Sequence, residues 1–155
     1  MDLQVAKIIS TTTSLVISGY TLGFSQNGVL ELYDERPQIS TPIFKRIYYT
    51  GGFAAIPFSI SSMLSSAYLA YAIPEKRKLW GVAATLILGI RFWTEYVMMP
   101  GIKRLIAISD DRRIQEKSEQ TLEHRQLMIR SVKQNYIRSA AAFASGLLGL
   151  LASID

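Results

Sequence analysis

Arg91 and Glu95 are the residues whose types and spacing best suit chemistry. They stand four apart in the segment 79–99, which is otherwise free of charge. At helical spacing they share a face. An ionised side chain at membrane depth costs at least about 2.5–3.5 kcal/mol on insertion scales, so such residues turn inward and find partners. A carboxylate there can exchange a proton, and a guanidinium can hold an anion. Equally, the two can pair with each other and simply orient their helix. The sequence leaves both uses open.

Other polar groups fall at the same level. If the 79–99 helix runs toward the cytoplasm, Arg91 and Glu95 lie in its cytoplasmic half. The next apolar helix rises from that side, bringing Asn135 and Arg138 to a similar depth. Tyr20 closes the first apolar segment there and Tyr48 opens the second. The expected result is a pocket open toward the cytoplasmic leaflet, lined by Tyr20, Tyr48, Arg91, Glu95, Asn135 and Arg138. Snorkelling to the headgroups is the competing use of Arg138. An interfacial aromatic belt is the better use of Tyr49, Tyr96 and Tyr136.

The elements that must position these groups are apolar segments near 20 residues long, the length of a membrane-spanning helix. Four qualify: residues 3–24, 48–73, 79–99 and 137–154. The fold class is therefore an all-α membrane protein, a four-helix antiparallel transmembrane bundle in a single domain over 1–155. The first segment is rich in Ser and Thr and is expected as a retained helix rather than a cleaved signal, since Ser10 to Ser14 interrupt its apolar run. The second carries Pro57 and many small residues, which allow close helix packing. The last contains Gly146-x-x-Gly149. Residues 25–47 read as a loop with turn formers, and residues 101–136 as two charged helical extensions joined near Asp110–Gln115. Met98-Met99-Pro100-Gly101 is expected to break or bend the third helix at the interface.

Charge sets the orientation and excludes several functions. Of 17 Lys and Arg, four lie at the N-terminal segment and the 74–78 turn. Twelve lie in 25–47, 101–136 and the adjoining Arg138. The positive-inside rule then places the 101–136 connection in the cytoplasm and both termini across the membrane. The expected location is integral and multi-pass, in an endomembrane. The net charge of +5 flanks apolar segments, which suits membrane lipid and argues against nucleic acid as a partner. There is no cysteine and one histidine, His124. No thiolate site exists and no metal site is expected. His124 itself reads as part of a solvated helix face.

Several of these stretches together resemble the anthrone oxygenase-like family of small four-helix membrane proteins. The motifs are Ser18-Gly19-Tyr20 with Phe24-Ser25, Phe44-x-x-x-Tyr48-x-x-Gly51 followed by Pro57, Thr94-x-x-x-Met98-Met99-Pro100, and Asn135-x-x-Arg138. They run from about residue 18 to the C-terminus, in family order. The chain departs from the pattern at Gly101, where Asn is usual, at Ser131, where Trp is usual, and at the second-helix entry, which lacks histidine.

The resemblance implies oxidation of an anthrone to an anthraquinone in aromatic polyketide synthesis, with molecular oxygen and no metal, flavin or other cofactor. It thus implies a membrane monooxygenase of secondary metabolism, acting on an aromatic polyketide or other lipophilic small-molecule substrate. On depth and charge, Glu95 is then the candidate base, Arg91 or Arg138 the enolate stabiliser, and Tyr20, Tyr48 and Asn135 the substrate-binding groups. A non-catalytic tetraspan protein that binds lipid, or a small subunit of a membrane complex, is the alternative. Homo-oligomerisation stays open.

Overall fold

The computed structural model describes residues 2–154, and no strand occurs among them. The helices are α1 (Leu3–Gly23), α2 (Pro37–Ala72), α3 (Arg77–Trp93), α4 (Met99–Asp110), α5 (Arg112–Thr121) and α6 (Glu123–Ser153). α1 runs on through a π-helical turn, Phe24–Val29, and a 3-10 turn, Leu30–Leu32. A second π turn, Thr94–Met98, joins α3 to α4. Three helical stretches are long and apolar enough to cross a membrane: Pro37–Ala72, Pro74–Asp110 and Glu123–Ser153. The chain is thus an all-helical membrane protein. α1 has 21 residues, a sufficient length, but its hydroxyl-rich middle keeps it out of that set.

Three serines of α1 bond across to its neighbours, while Thr13 and Thr21 bond back to α1 carbonyls. Ser10 bonds Ser66 and Ser14 bonds Ser62, each at 2.6 Å. Ser18 and Ser139 each donate to the other's carbonyl at 2.9 Å. α1 packs along both α2 and α6, and α3 packs along the same two helices, while α2 and α6 barely meet. Small residues make the α1–α6 approach close. A Cβ on Gly146 would lie 2.6 Å from a Leu15 methyl, and one on Gly149 would lie 2.7 Å from the Thr11 hydroxyl. With no hydrophobic effect between helices in lipid, such close packing and interhelical hydroxyl bonds supply the cohesion.

Three sequence expectations are corrected. Residues 25–47 are not a loop, because the first helix continues to Leu32 and α2 begins at Pro37, which suits a first helical position. Residues 101–136 are helical, as expected. They pack on that region through Arg125–Asp34 at 3.1 Å, Lys45–Asp110, and Gln38 donating to Glu119 at 3.0 Å. Val29, Phe44, Met98, Leu105 and Met128 form the core beneath. Pro100 does not break the third helix. It lacks an N–H and its ring would crowd the preceding turn, and the π turn just before it absorbs the misfit. His124 is 3% exposed rather than solvated.

His124 serves the α5–α6 junction. Leu122 adopts a left-handed conformation, φ 56°, that ends α5 and starts α6. The His124 backbone N–H then donates to the Ser118 hydroxyl at 3.0 Å, and its ring Nδ1 lies 3.3 Å from the Ser118 carbonyl. The charged turn at Asp110–Asp111 forms as expected, with the Asp111 carboxylate accepting from the Arg113 N–H at 2.8 Å as the cap of α5.

Candidate active site

A cavity of about 390 Å³ lies in the seam between α2 and α3, floored by α1 and α6. Its walls are mainly apolar: Phe44, Ile47, Ile56, Ile60, Met63, Ile87, Ile90 and Met98. Ile56, Ile60 and Leu88 are 47%, 49% and 41% exposed, so the mouth opens on the flank of the helices rather than at their ends. On two apolar spans, that flank is the lipid-facing side.

Of the six residues expected to line a pocket, five do so: Tyr20, Tyr48, Arg91, Asn135 and Arg138. Glu95 is exposed and lies off the wall. The backbone is α-helical from Arg91 to Trp93 and Thr94 keeps right-handed helical angles, so the spacing holds. Glu95 sits one turn beyond Arg91, just inside the π turn, and faces outward. Arg91 and Glu95 form no ion pair, and the architectural pairing the spacing allowed is absent among the described residues.

Arg138 and Asn135 form a polar pair on the α6 side of the wall. They stand three apart on α6, and Arg138 Nη1 donates to Asn135 Oδ1 at 2.9 Å. Asn135 is 4% exposed. Arg138 Nε is buried with no hydrogen-bond partner. A buried unpaired donor on a charged group costs at least about 1–3 kcal/mol, so this N–H is poised for an oxygen that enters the cavity. Tyr48, on α2, is within electrostatic reach of Arg138, Arg91 and Glu95. Its hydroxyl has only a long contact of 3.7 Å to the Met99 sulfur and is free to re-aim. Tyr20 reaches the wall because α2 carries no side chain at Gly51. A Cβ there would lie 2.9 Å from the Tyr20 hydroxyl.

Sequence reasoning missed Ser131, Thr94, Thr21 and Phe24 on the wall. Ser131 was detectable, since 131, 135 and 138 fall on one helical face. Thr94 and Met98 belong to the π turn ahead of Pro100, and Phe24 opens the π turn after α1, which has no proline to signal it. No carboxylate belongs to the wall, and no cluster of three or more potential metal-binding side chains occurs among the described residues.

Apolar spanning helices around an internal aliphatic chamber with arginine and tyrosine on its walls define a small integral membrane protein with a built cavity. The anthrone oxygenase family model matches residues 44–148, more than half of the chain, and the protein belongs to that family. No curated protein and no solved structure matches it.

Proposed function

We propose that the chain is a four-span membrane oxygenase that oxidises an enolisable aromatic substrate with molecular oxygen, without a bound cofactor. The observation that carries this reading is the buried, unpartnered Arg138 Nε–H beside Asn135 in an otherwise aliphatic cavity. Enolisation turns a ketone oxygen into an anion. A preorganised guanidinium in a dry cavity stabilises that charge as it develops.

The proton leaves the carbon next to the aromatic rings. Glu95, exposed outside the wall and within long-range electrostatic reach of Tyr48, is the candidate final acceptor of that proton, with Tyr48 on the path between them. The enolate then gives one electron to oxygen, and the radical pair joins to form a carbon–oxygen bond. The hydroperoxide loses water, leaving a carbonyl where the methylene stood. One oxygen atom enters the product and the other leaves as water. Tyr20 and the aliphatic walls hold the flat rings. An aromatic polyketide meets these requirements, and its low solubility suits entry through the lipid-facing mouth.

α1 completes the bundle as a fourth span in this reading, with Ser10, Ser14 and Ser18 bonded to α2 and α6. The charged 101–136 region then faces the cytoplasm, where the positive-inside rule puts it, and the membrane is an internal one. A non-catalytic lipid-binding role is the second reading, favoured by the same lateral mouth. The purified protein in nanodiscs, given anthrone in air, should yield anthraquinone and consume oxygen in equimolar amounts, and yield none under argon. Binding of anthrone with no protein-dependent quinone would leave the lipid-binding reading in its place.

A further inference from the structure

The cavity has two cationic groups on its walls and no carboxylate to match either. They are not equivalent. Arg138 is deep, bonded to Asn135, and belongs to the reaction proposed above. Arg91 is exposed, on the α3 wall, and among the described residues it makes no ion pair. Its expected partner, Glu95, is exposed and lies off the wall. A permanently charged guanidinium on an apolar span is costly to insert without a partner. The wall it shares is mainly aliphatic, with Ile87, Leu88 and Ile90 on its own helix and Ile56 and Ile60 across the seam, and Tyr48 is the polar wall residue within its electrostatic reach.

We propose that Arg91 is the specificity residue of the cavity, and that the substrate is a flat lipophilic acid whose carboxylate it binds. This rests on the reading of the cavity as a substrate site, with Arg138 taking the enolate oxygen. The two guanidiniums then hold two different oxygens of one molecule, one deep and one on the α3 wall. A planar guanidinium suits the carboxylate because it can donate two parallel N–H bonds. The aliphatic walls between the two arginines take the rings.

Two fluorescent probes separate the charge from the rings: 2-anthroic acid and 2-anthracenemethanol, bound to the protein in phosphatidylcholine nanodiscs at pH 7. The acid should bind roughly tenfold tighter than the alcohol, the scale of one charge-assisted hydrogen bond. Arg91→Gln should reduce the acid to the affinity of the alcohol, and Arg91→Lys should keep part of the preference. The alcohol should bind all three proteins alike, which also reports that the variants are folded. In the wild type alone, acidifying until the probe is protonated should erase the preference, so the test survives a variant that fails to fold. Oleate, an acid without rings, should bind more weakly than anthroate.

Equal affinity for acid and alcohol, or a preference that Arg91→Gln leaves intact, overturns the proposal and assigns Arg91 to lipid headgroups. Oleate binding as tightly as anthroate overturns its aromatic half. These outcomes are independent of turnover. Oxidation of neutral anthrone without acid preference would sink this inference alone, and acid preference without oxidation would sink only the oxygenase reading.

Discussion

Two seams of this molecule treat polar groups differently. Between α1 and α6, serines bond across the interface and glycines bring the backbones together, so the seam is closely packed. It still leaves the Thr11 hydroxyl and the Trp80 N–H unpartnered, but both are enclosed against Gly149 with no room for a ligand. Between α2 and α3, polar groups are left unspent around a cavity: Arg91, the Arg138 Nε–H and the Tyr48 hydroxyl. In a membrane, an unspent polar group is expensive. What marks a site is such a group beside an open space, whereas close packing across small residues marks a joint. Changes in the open seam should therefore cost rate per folded molecule. Changes in the closed seam should cost folded molecules.

The largest expected effect is on proton transfer. Glu95→Gln and Tyr48→Phe should each slow quinone formation by roughly 100- to 10,000-fold, the range for losing a general base or its relay. Thermal unfolding should stay near that of the wild type, because Glu95 is exposed and makes no ion pair. Unchanged specific activity in Glu95→Gln would remove it from the mechanism and leave Tyr48 acting without it. Next comes Arg138→Gln. Losing one donor to a developing oxyanion costs roughly 100- to 1,000-fold in rate.

How much of this was legible depended on what a residue count along a helix can show. The apolar runs place the helices, and the depths of Tyr20, Tyr48, Arg91, Asn135 and Arg138 follow from counting residues along them. That is why these five arrive at one cavity. Glu95 fails because a four-residue spacing says which side of the helix two residues share, not how wide the cavity is one turn further along, where Glu95 is exposed. Residues 25–47 fail for another reason. The stretch looks too polar to be packed, but its charges meet those of the helical 101–136 region. Only the fold shows that Asp34 meets Arg125 or that Gln38 meets Glu119. His124 is buried by the left-handed break at Leu122, which no residue preference announces.

The closed seam gives the third prediction. A Cβ on Gly149 would meet the Thr11 hydroxyl at 2.7 Å and the Trp80 ring at 3.3 Å. Gly149→Val should therefore destabilise by about 1–3 kcal/mol, the usual cost of overpacking, read as a lower unfolding temperature in detergent. Activity per folded molecule should hold. A fall in specific activity with intact stability would mean that the two seams are coupled.

The smallest effect lies outside both seams. Arg104 grips Glu123 with two bonds, 2.8 and 3.0 Å, and this hydrogen bonding holds the Glu123 carboxyl below its ordinary value. A carboxylate lowered on folding stabilises the fold above its unfolded value and loses that contribution as pH falls through the folded one. Stability should therefore drop as acid protonates Glu123, and Glu123→Gln should blunt that drop. The pair is partly exposed, so the change should be no more than about 1 kcal/mol. An identical acid profile in the variant would assign the loss to other carboxylates.

The most direct test of the cavity as an enolate site needs no turnover. Anthrone mixed with the protein under argon should convert from its keto spectrum to that of the enolate near neutral pH, in proportion to the protein added. Arg138→Gln should leave it in the keto form. A keto spectrum with the wild-type protein, under conditions where the anthrone is bound, would contradict the account.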